Sequence, residues 1–274
     1  LSLHDALPIF CPFYFICKGS SACYHPWQVC DGIMDCQASG DDEAICIHVT
    51  CPSYCTCPTR AVICNNKNMQ TLPKLQGDLR IIIFRKNLLE SWLRTTLVLS
   101  FLHRFDISQN CIVRLQKKQM MLFPFLKEFD VSKNNLRLIW SRTFSMTPFL
   151  CKLNILGNPI KVLSTHMFGR LLQMRGLNLS RLGLQEIEQR AFSGLDNVKW
   201  LDLSSNEISR VSTGMFEGLY ELLYVNLKQN DIRQFDTSLF ISSQHISEFL
   251  SDQFVFCCVV KFLSCRGKAI CGRF

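Results

Sequence analysis

Six cysteines and five carboxylates share the 36 residues from Cys11 to Cys46: Asp31, Asp35, Asp41, Asp42 and Glu43 lie among Cys11, Cys17, Cys23, Cys30, Cys36 and Cys46. Carboxylates held close together repel, and a hard cation bound through oxygen ligands relieves that repulsion. So short a segment cannot bury a core large enough to fold alone, so covalent staples or a metal are expected. Catalytic chemistry is not expected. The six histidines (His4, His25, His48, His103, His166, His245) are scattered singly, with no nucleophile elbow, zinc-helix motif or phosphate loop. Of the sixteen cysteines, ten lie at or before Cys64 and four at or after Cys257. That distribution implies disulfide caps at two ends and an oxidising compartment.

What positions any site is the long middle of the chain, from Leu79 to about Phe240. Asn87, Asn110, Asn134, Asn158, Asn206 and Asn230 are spaced by 23, 24, 24, 48 and 24 residues, so one copy has lost its asparagine, at Leu182. Each copy reads LxxLxLxxNxL, as in Val198-x-x-Leu201-x-Leu203-x-x-Asn206-x-Ile208 and Leu126-x-x-Phe129-x-Val131-x-x-Asn134-x-Leu136. Phe144, Phe168, Phe192, Phe216 and Phe240 come ten residues after the marker position. Alternating inward residues require a short strand. One turn cannot close a core alone, so neighbours must stack. A buried asparagine must be paired, and its amide can bond the backbone of adjacent coils.

These residues resemble a leucine-rich repeat. The expected fold is α/β: a solenoid of about seven coils over residues 74–241, with parallel short strands and a largely irregular, short-helical convex side. Outward strand residues then form a concave face. Asp106, Glu128 and Asp130 would make an acidic patch on adjacent coils, and Trp200 and Tyr224 an aromatic pair flanked by Asp202. These six are the candidate ligand-binding residues, because exposed Trp and Tyr are enriched in binding hot spots. Asn178-Leu179-Ser180, the one N-x-S/T sequon, falls on the same face, with Asn178 as a candidate glycan acceptor.

Residues 11–46 resemble an LDL-receptor class A module, through Phe15-x-Cys17, Cys30-Asp31-Gly32-x-x-Asp35-Cys36 and Asp41-Asp42-Glu43 before Cys46. The resemblance implies the pairs Cys11–Cys23, Cys17–Cys36 and Cys30–Cys46. It also implies Ca2+ held by Asp31, Asp35, Asp42 and Glu43 side chains and by the backbone oxygens of Gln28 and Ile33. Two departures stand out. Gln28 replaces the usual tryptophan, and the acidic pair sits one residue late, so Asp41–Asp42 is an alternative ligating pair. Residues 51–73 resemble the N-terminal cap of extracellular leucine-rich repeats, which implies Cys51–Cys57 and Cys55–Cys64. Four thiolates could hold zinc instead, but an oxidising compartment favours the disulfides. Residues 242–274, with Phe256-Cys257-Cys258, Cys265 and Cys271, resemble the truncated C-terminal cap before the membrane domain of leucine-rich-repeat G-protein-coupled receptors. Cys111 and Cys151 are expected to be unpaired.

This order of modules is similar to the ectodomain of relaxin receptors. The resemblance implies an extracellular region at the plasma membrane that captures a peptide hormone on its concave face, in a receptor that couples to a G protein. The alternative is a secreted or cell-surface adhesion protein using the same face. The join Ile47 to Thr50 is shorter than a flexible tether needs. Net charge is +8 with no run of like charges, so nucleic acid is not an expected partner. No stretch of about 18 apolar residues is present. The chain begins at Leu1 without a visible signal peptide and reads as a fragment, and residues 1–10 (LSLHDALPIF) look like a non-native leader.

Overall fold

The structure, a computed structural model, describes residues 15–25, 28–30, 33–44, 46, 49–58, 60–75, 77–92, 99–212, 214–236, 246–252 and 256–257. Within them the chain winds as a solenoid. Three-residue strands stack side by side in chain order: Ala61–Ile63, Ile81–Ile83, Arg104–Asp106, Glu128–Asp130 and Lys152–Asn154 in one parallel sheet. Gly176–Asn178, Trp200–Asp202, Tyr224–Asn226 and Glu248–Leu250 form a second. Among the described residues, helix is confined to the single turns Lys117–Met120 and Thr143–Met146 on the outer side.

The middle residue of each strand points inward. Ile82, Phe105, Phe129, Leu177, Leu201 and Val225 are at most 1% exposed. Leu203 and Leu227, two residues on, are buried as deeply. The expected phenylalanine column fills the space behind: Phe168 stacks on Phe192 at 6.1 Å between ring centroids, and Phe192 on Phe216 at 6.3 Å. Phe240 lies outside the described residues.

The marker asparagines bind successive coils together. In Asn134, Oδ1 accepts the Ile112 N–H at 2.9 Å, and Nδ2 donates to Ile107 O and Val131 O, both at 3.0 Å. Asn158 repeats the pattern with Leu136, Val131 and Ile155. Asn110, Asn206 and Asn230 do the same on their own coils. At Leu182 the column is interrupted. The Ile160 N–H, which an asparagine there would receive, turns back to Asn158 O at 2.9 Å. The strand ladder is also split at this level: Lys152–Asn154 and Gly176–Asn178 are neighbours without strand pairing.

Two boundaries differ from the sequence reading. Ala61–Ile63, inside the N-terminal cap, already pairs in parallel with Ile81–Ile83. At the other end the period runs past 241, because Glu248–Leu250 pairs with Tyr224–Asn226 in the same register. Ile246 and Phe249 keep the two apolar positions, but Ser251 stands where earlier copies have an apolar residue, which hides the coil.

The cystines Cys51–Cys57 and Cys55–Cys64 close the cap, and Cys17–Cys36 and Cys30–Cys46 staple the first module. Cys11, and with it the Cys11–Cys23 pair, lies outside the described residues, as do Cys258, Cys265 and Cys271. Cys111 and Cys151 are unpaired. The first module rests on the array rather than hanging from it. Glu43 faces Arg60 at 3.9 Å, Asp78 Oδ2 lies 3.5 Å from Cys30 Sγ, and the Phe15 ring meets Phe125 edge-on at 6.2 Å.

Candidate functional site

The concave face is built from the first and third residues of each strand and the residue two beyond the third. The Asp or Asn at the third position has a local duty. In Asp106, Asp130, Asn154, Asn178, Asp202 and Asn226, Oδ1 accepts the backbone N–H two residues on. This turn closes the strand end and uses one side-chain oxygen in each coil. The repeated D-x-S and N-x-S text carries the signal for this duty, which reading the face as a row of outward side chains overlooks.

The second oxygen decides what is left for a ligand, and here the two halves of the face differ. In the N-terminal half the acidic patch does form on adjacent strands, but each carboxylate has a partner. Asp106 is fully buried under Arg85, whose Nε reaches it at 2.7 Å. That bond holds the Arg85 guanidinium above its ordinary pKa, against partial burial. Glu128 is bridged by Lys152 on one side and by Arg104, at 3.7 Å, on the other. Asp130 takes the Asn154 amide at 2.9 Å. The Arg85–Asp106 pair crosses coils because the basic residue beyond one strand meets the third position of the next.

In the C-terminal half the aromatic pair is stacked, with Trp200 and Tyr224 ring centroids 6.3 Å apart and planes 11° from parallel. Gly176 makes room for it: a Cβ there would sit 3.1 Å from Trp200 Cε3. Trp200 remains 38% exposed. Asp202 lies at the end of the Trp200 strand, and Glu248 pairs in register with Tyr224. Partial burial and then the charges of Glu248 and Asp202 raise the Tyr224 phenol above its ordinary pKa. Among the described residues, neither Asp202 nor Glu248 makes an ion pair. Glu248 is absent from the sequence-derived site because the apolar period fades after 241. Asn178 of the sequon is half-buried at the split, its Oδ1 also accepting the Ser180 hydroxyl at 2.8 Å.

In the first module Asp42 is completely buried. Its Oδ1 and Asp35 Oδ2 are buried without a hydrogen-bond partner. Gln28 Nε2 donates to Asp35 Oδ1 at 2.7 Å, and Asp42 Oδ2 accepts the Asp35 N–H at 2.5 Å. Asp41 bonds Ser39 and the Lys18 N–H at the surface. Glu43 faces Arg60, and Ile33 is exposed. Asp31 lies outside the described residues.

The leucine rich repeat family model matches residues 148–208 and 173–232. No curated protein matches the sequence. Among solved structures, the TLR13 chain of the TLR13–ssRNA13 complex is 28% identical, with a TM-score of 0.57 over 62% of this chain and 25% of that one. Human 5T4 (Wnt-activated inhibitory factor 1, trophoblast glycoprotein) is 21% identical, with a TM-score of 0.57 over 74% and 80%. The mouse RP105/MD-1 complex contains a chain 19% identical, with a TM-score of 0.56 over 72% and 38%. The middle of this chain is therefore a leucine-rich-repeat domain, and it spans about a quarter of the TLR13 chain it matches. No helix among the described residues is long and apolar enough to cross a membrane.

Proposed function

We propose that this chain is the extracellular, ligand-capturing part of a receptor, and that its ligand is a cationic peptide or protein held on the C-terminal half of the concave face. One observation carries the reading: the Trp200–Tyr224 stack lies beside two carboxylates, Asp202 and Glu248, that make no ion pair among the described residues. A Lys or Arg laid over the indole gains a cation–π contact as well as a carboxylate partner. The N-terminal acids are poorer partners, since a ligand would first have to displace Arg85, Arg104 or Lys152. The order of modules favours a receptor of the relaxin-receptor kind, whose full-length protein carries a seven-helix, G-protein-coupled domain. An adhesion protein would use the same face without such a domain.

The test is titration of the full chain with a cationic relaxin-like peptide. Trp200→Ala is expected to weaken binding at least about tenfold, as truncated aromatic anchors do, while Asp130→Ala changes it less than about twofold. Unchanged affinity in Trp200→Ala would exclude the C-terminal half of this face, and unchanged affinity in Asp130→Ala as well would exclude the face.

We also propose that the first module is a Ca2+-binding module of the LDL-receptor class A kind. The two orphaned buried oxygens of Asp35 and Asp42 fit a hard cation, since a buried carboxylate oxygen without a partner is costly. Asp31, Asp35 and Asp42 would hold the ion with the Gln28 and Ile33 carbonyls, and it would supply charge neutralisation and rigidity. Chelation is expected to collapse the module's dispersed NMR signals and leave those of the array in place, and Asp42→Ala should do the same. Calorimetry showing no Ca2+ uptake by the intact chain would refute it.

A further inference from the structure

We infer that the outer flank of the second to fourth asparagine-marked coils, opposite in character to the concave site, is a docking surface for a linear sulfated polysaccharide. The charge of this chain is not evenly spread. Residues 107–185 contain many more Lys and Arg than acids, and the only acids among them are Glu128 and Asp130. Both acids lie on the concave strand Glu128–Asp130, already bonded to Lys152, Arg104 and Asn154. The outer flank of these coils therefore carries cations and no carboxylate.

Backbone register places those cations together. Arg114 lies beside Leu138 in a parallel pair, and the Arg137 N–H donates to Val113 O at 3.1 Å. Lys161 occupies on the next coil the position of Arg137. Lys118 and Arg142 likewise share one position on neighbouring coils, and the Arg142 N–H continues that line to His166 O at 2.8 Å. Arg114, Lys118, Arg137, Arg142 and Lys161 are exposed. None makes an ion pair among the described residues. Exposed apolar groups are interleaved with them: Val113, Leu138 and Val162, with Trp140 51% exposed. Glu186, in register with Val162, marks the C-terminal border.

Cations repeated at one coil position recur at about the 4.8 Å spacing of neighbouring strands. A linear polymer bearing a charge on nearly every sugar, laid across the coils, meets such a row without bending. The Trp140 indole offers a flat apolar face to a sugar ring. Single-stranded nucleic acid relies on a series of aromatic platforms for successive bases, and this band exposes one indole among the described residues. Cystine-bonded proteins also belong to the compartment in which sulfated polysaccharides are abundant.

The test uses the full chain on immobilised heparin, with fully desulfated heparin and single-stranded RNA of equal length as competitors. The variant Lys118→Glu/Arg137→Glu/Lys161→Glu changes three exposed side chains, and an unchanged melting temperature confirms its fold. It is expected to elute at lower salt, to raise Kd at least about tenfold, and to flatten the dependence of log Kd on log salt, because fewer counterions are released. Trp140→Ala should raise Kd several-fold, while Trp200→Ala on the concave face leaves it unchanged. Equal retention of the triple variant overturns the proposal. Competition by RNA as effective as that of heparin also overturns it, and assigns the band to nucleic acid.

Discussion

Gly194→Ala is expected to lower the melting temperature by roughly 10 °C or more, given a cost of at least about 3 kcal/mol for a backbone clash in a domain of this size. Gly194 has φ of +91°, and a Cβ there would lie 1.8 Å from Gly169 O and 2.5 Å from Gly169 C. Neither atom belongs to a flexible side chain. The coils would have to part, breaking the 2.9 Å bond from Leu171 N–H to Gly194 O and loosening the adjacent Phe168–Phe192 stack. Gly183→Ala is the control. Its φ is +74°, but the nearest atom to a Cβ is Glu207 Oε1 at 3.8 Å. It carries the left-handed penalty alone, about 1 kcal/mol. Thermal melts of the two variants separate close coil packing from backbone strain, and similar losses in both would show that the coils are not in contact at Gly194.

Asn134→Ala is expected to cost about 1–3 kcal/mol, because it leaves the buried Ile112 N–H unpaired rather than merely deleting a contact. The Ile112 N–H loses its acceptor, while Ile107 O and Val131 O each lose one donor and keep another, from Asn110 Nδ2 and Asn158 Nδ2. Denaturant titration should show a lower midpoint with an unchanged slope, as for a loss of stability without a change in compactness. The chain already contains a natural version of this change. At Leu182 the missing amide coincides with the split in the concave sheet, and the Ile160 N–H is rescued by Asn158 O within its own turn. A cost below about 0.5 kcal/mol for Asn134→Ala would show that the markers are decorative.

Much of this fold is legible in the residues. The 24-residue spacing gives the strand positions, and the alternation around each asparagine tells inward residues from outward ones. Where the pattern stops short, the cause is a contact between coils. Asp106, Glu128 and Asp130 look like an acidic patch when counted along the chain. They are paired because Arg85, Lys152 and Asn154 on neighbouring coils reach them, and a one-dimensional pattern carries no information on which coil donates. The role of the third-position Asp and Asn in closing each strand is present as D-x-S text, but its hydrogen bond lies on the backbone and leaves no periodic apolar signal. The last coil is hidden because Ser251 breaks the pattern that Ile246 and Phe249 maintain. Glu248, beside the aromatic stack, is hidden with it.

The central claim is that the C-terminal half of the hollow face, where aromatic rings lie beside carboxylates that no ion pair occupies, is where a partner is held. Backbone hydrogen exchange of the full chain, with and without the cationic relaxin-like peptide, tests it most directly. Slowed exchange over Trp200–Ser204 and Tyr224–Lys228, with Arg104–Ser108 unchanged, is the expected result. Protection confined to Arg104–Ser108 and Glu128–Ser132 would contradict the claim and return the site to the acidic strands.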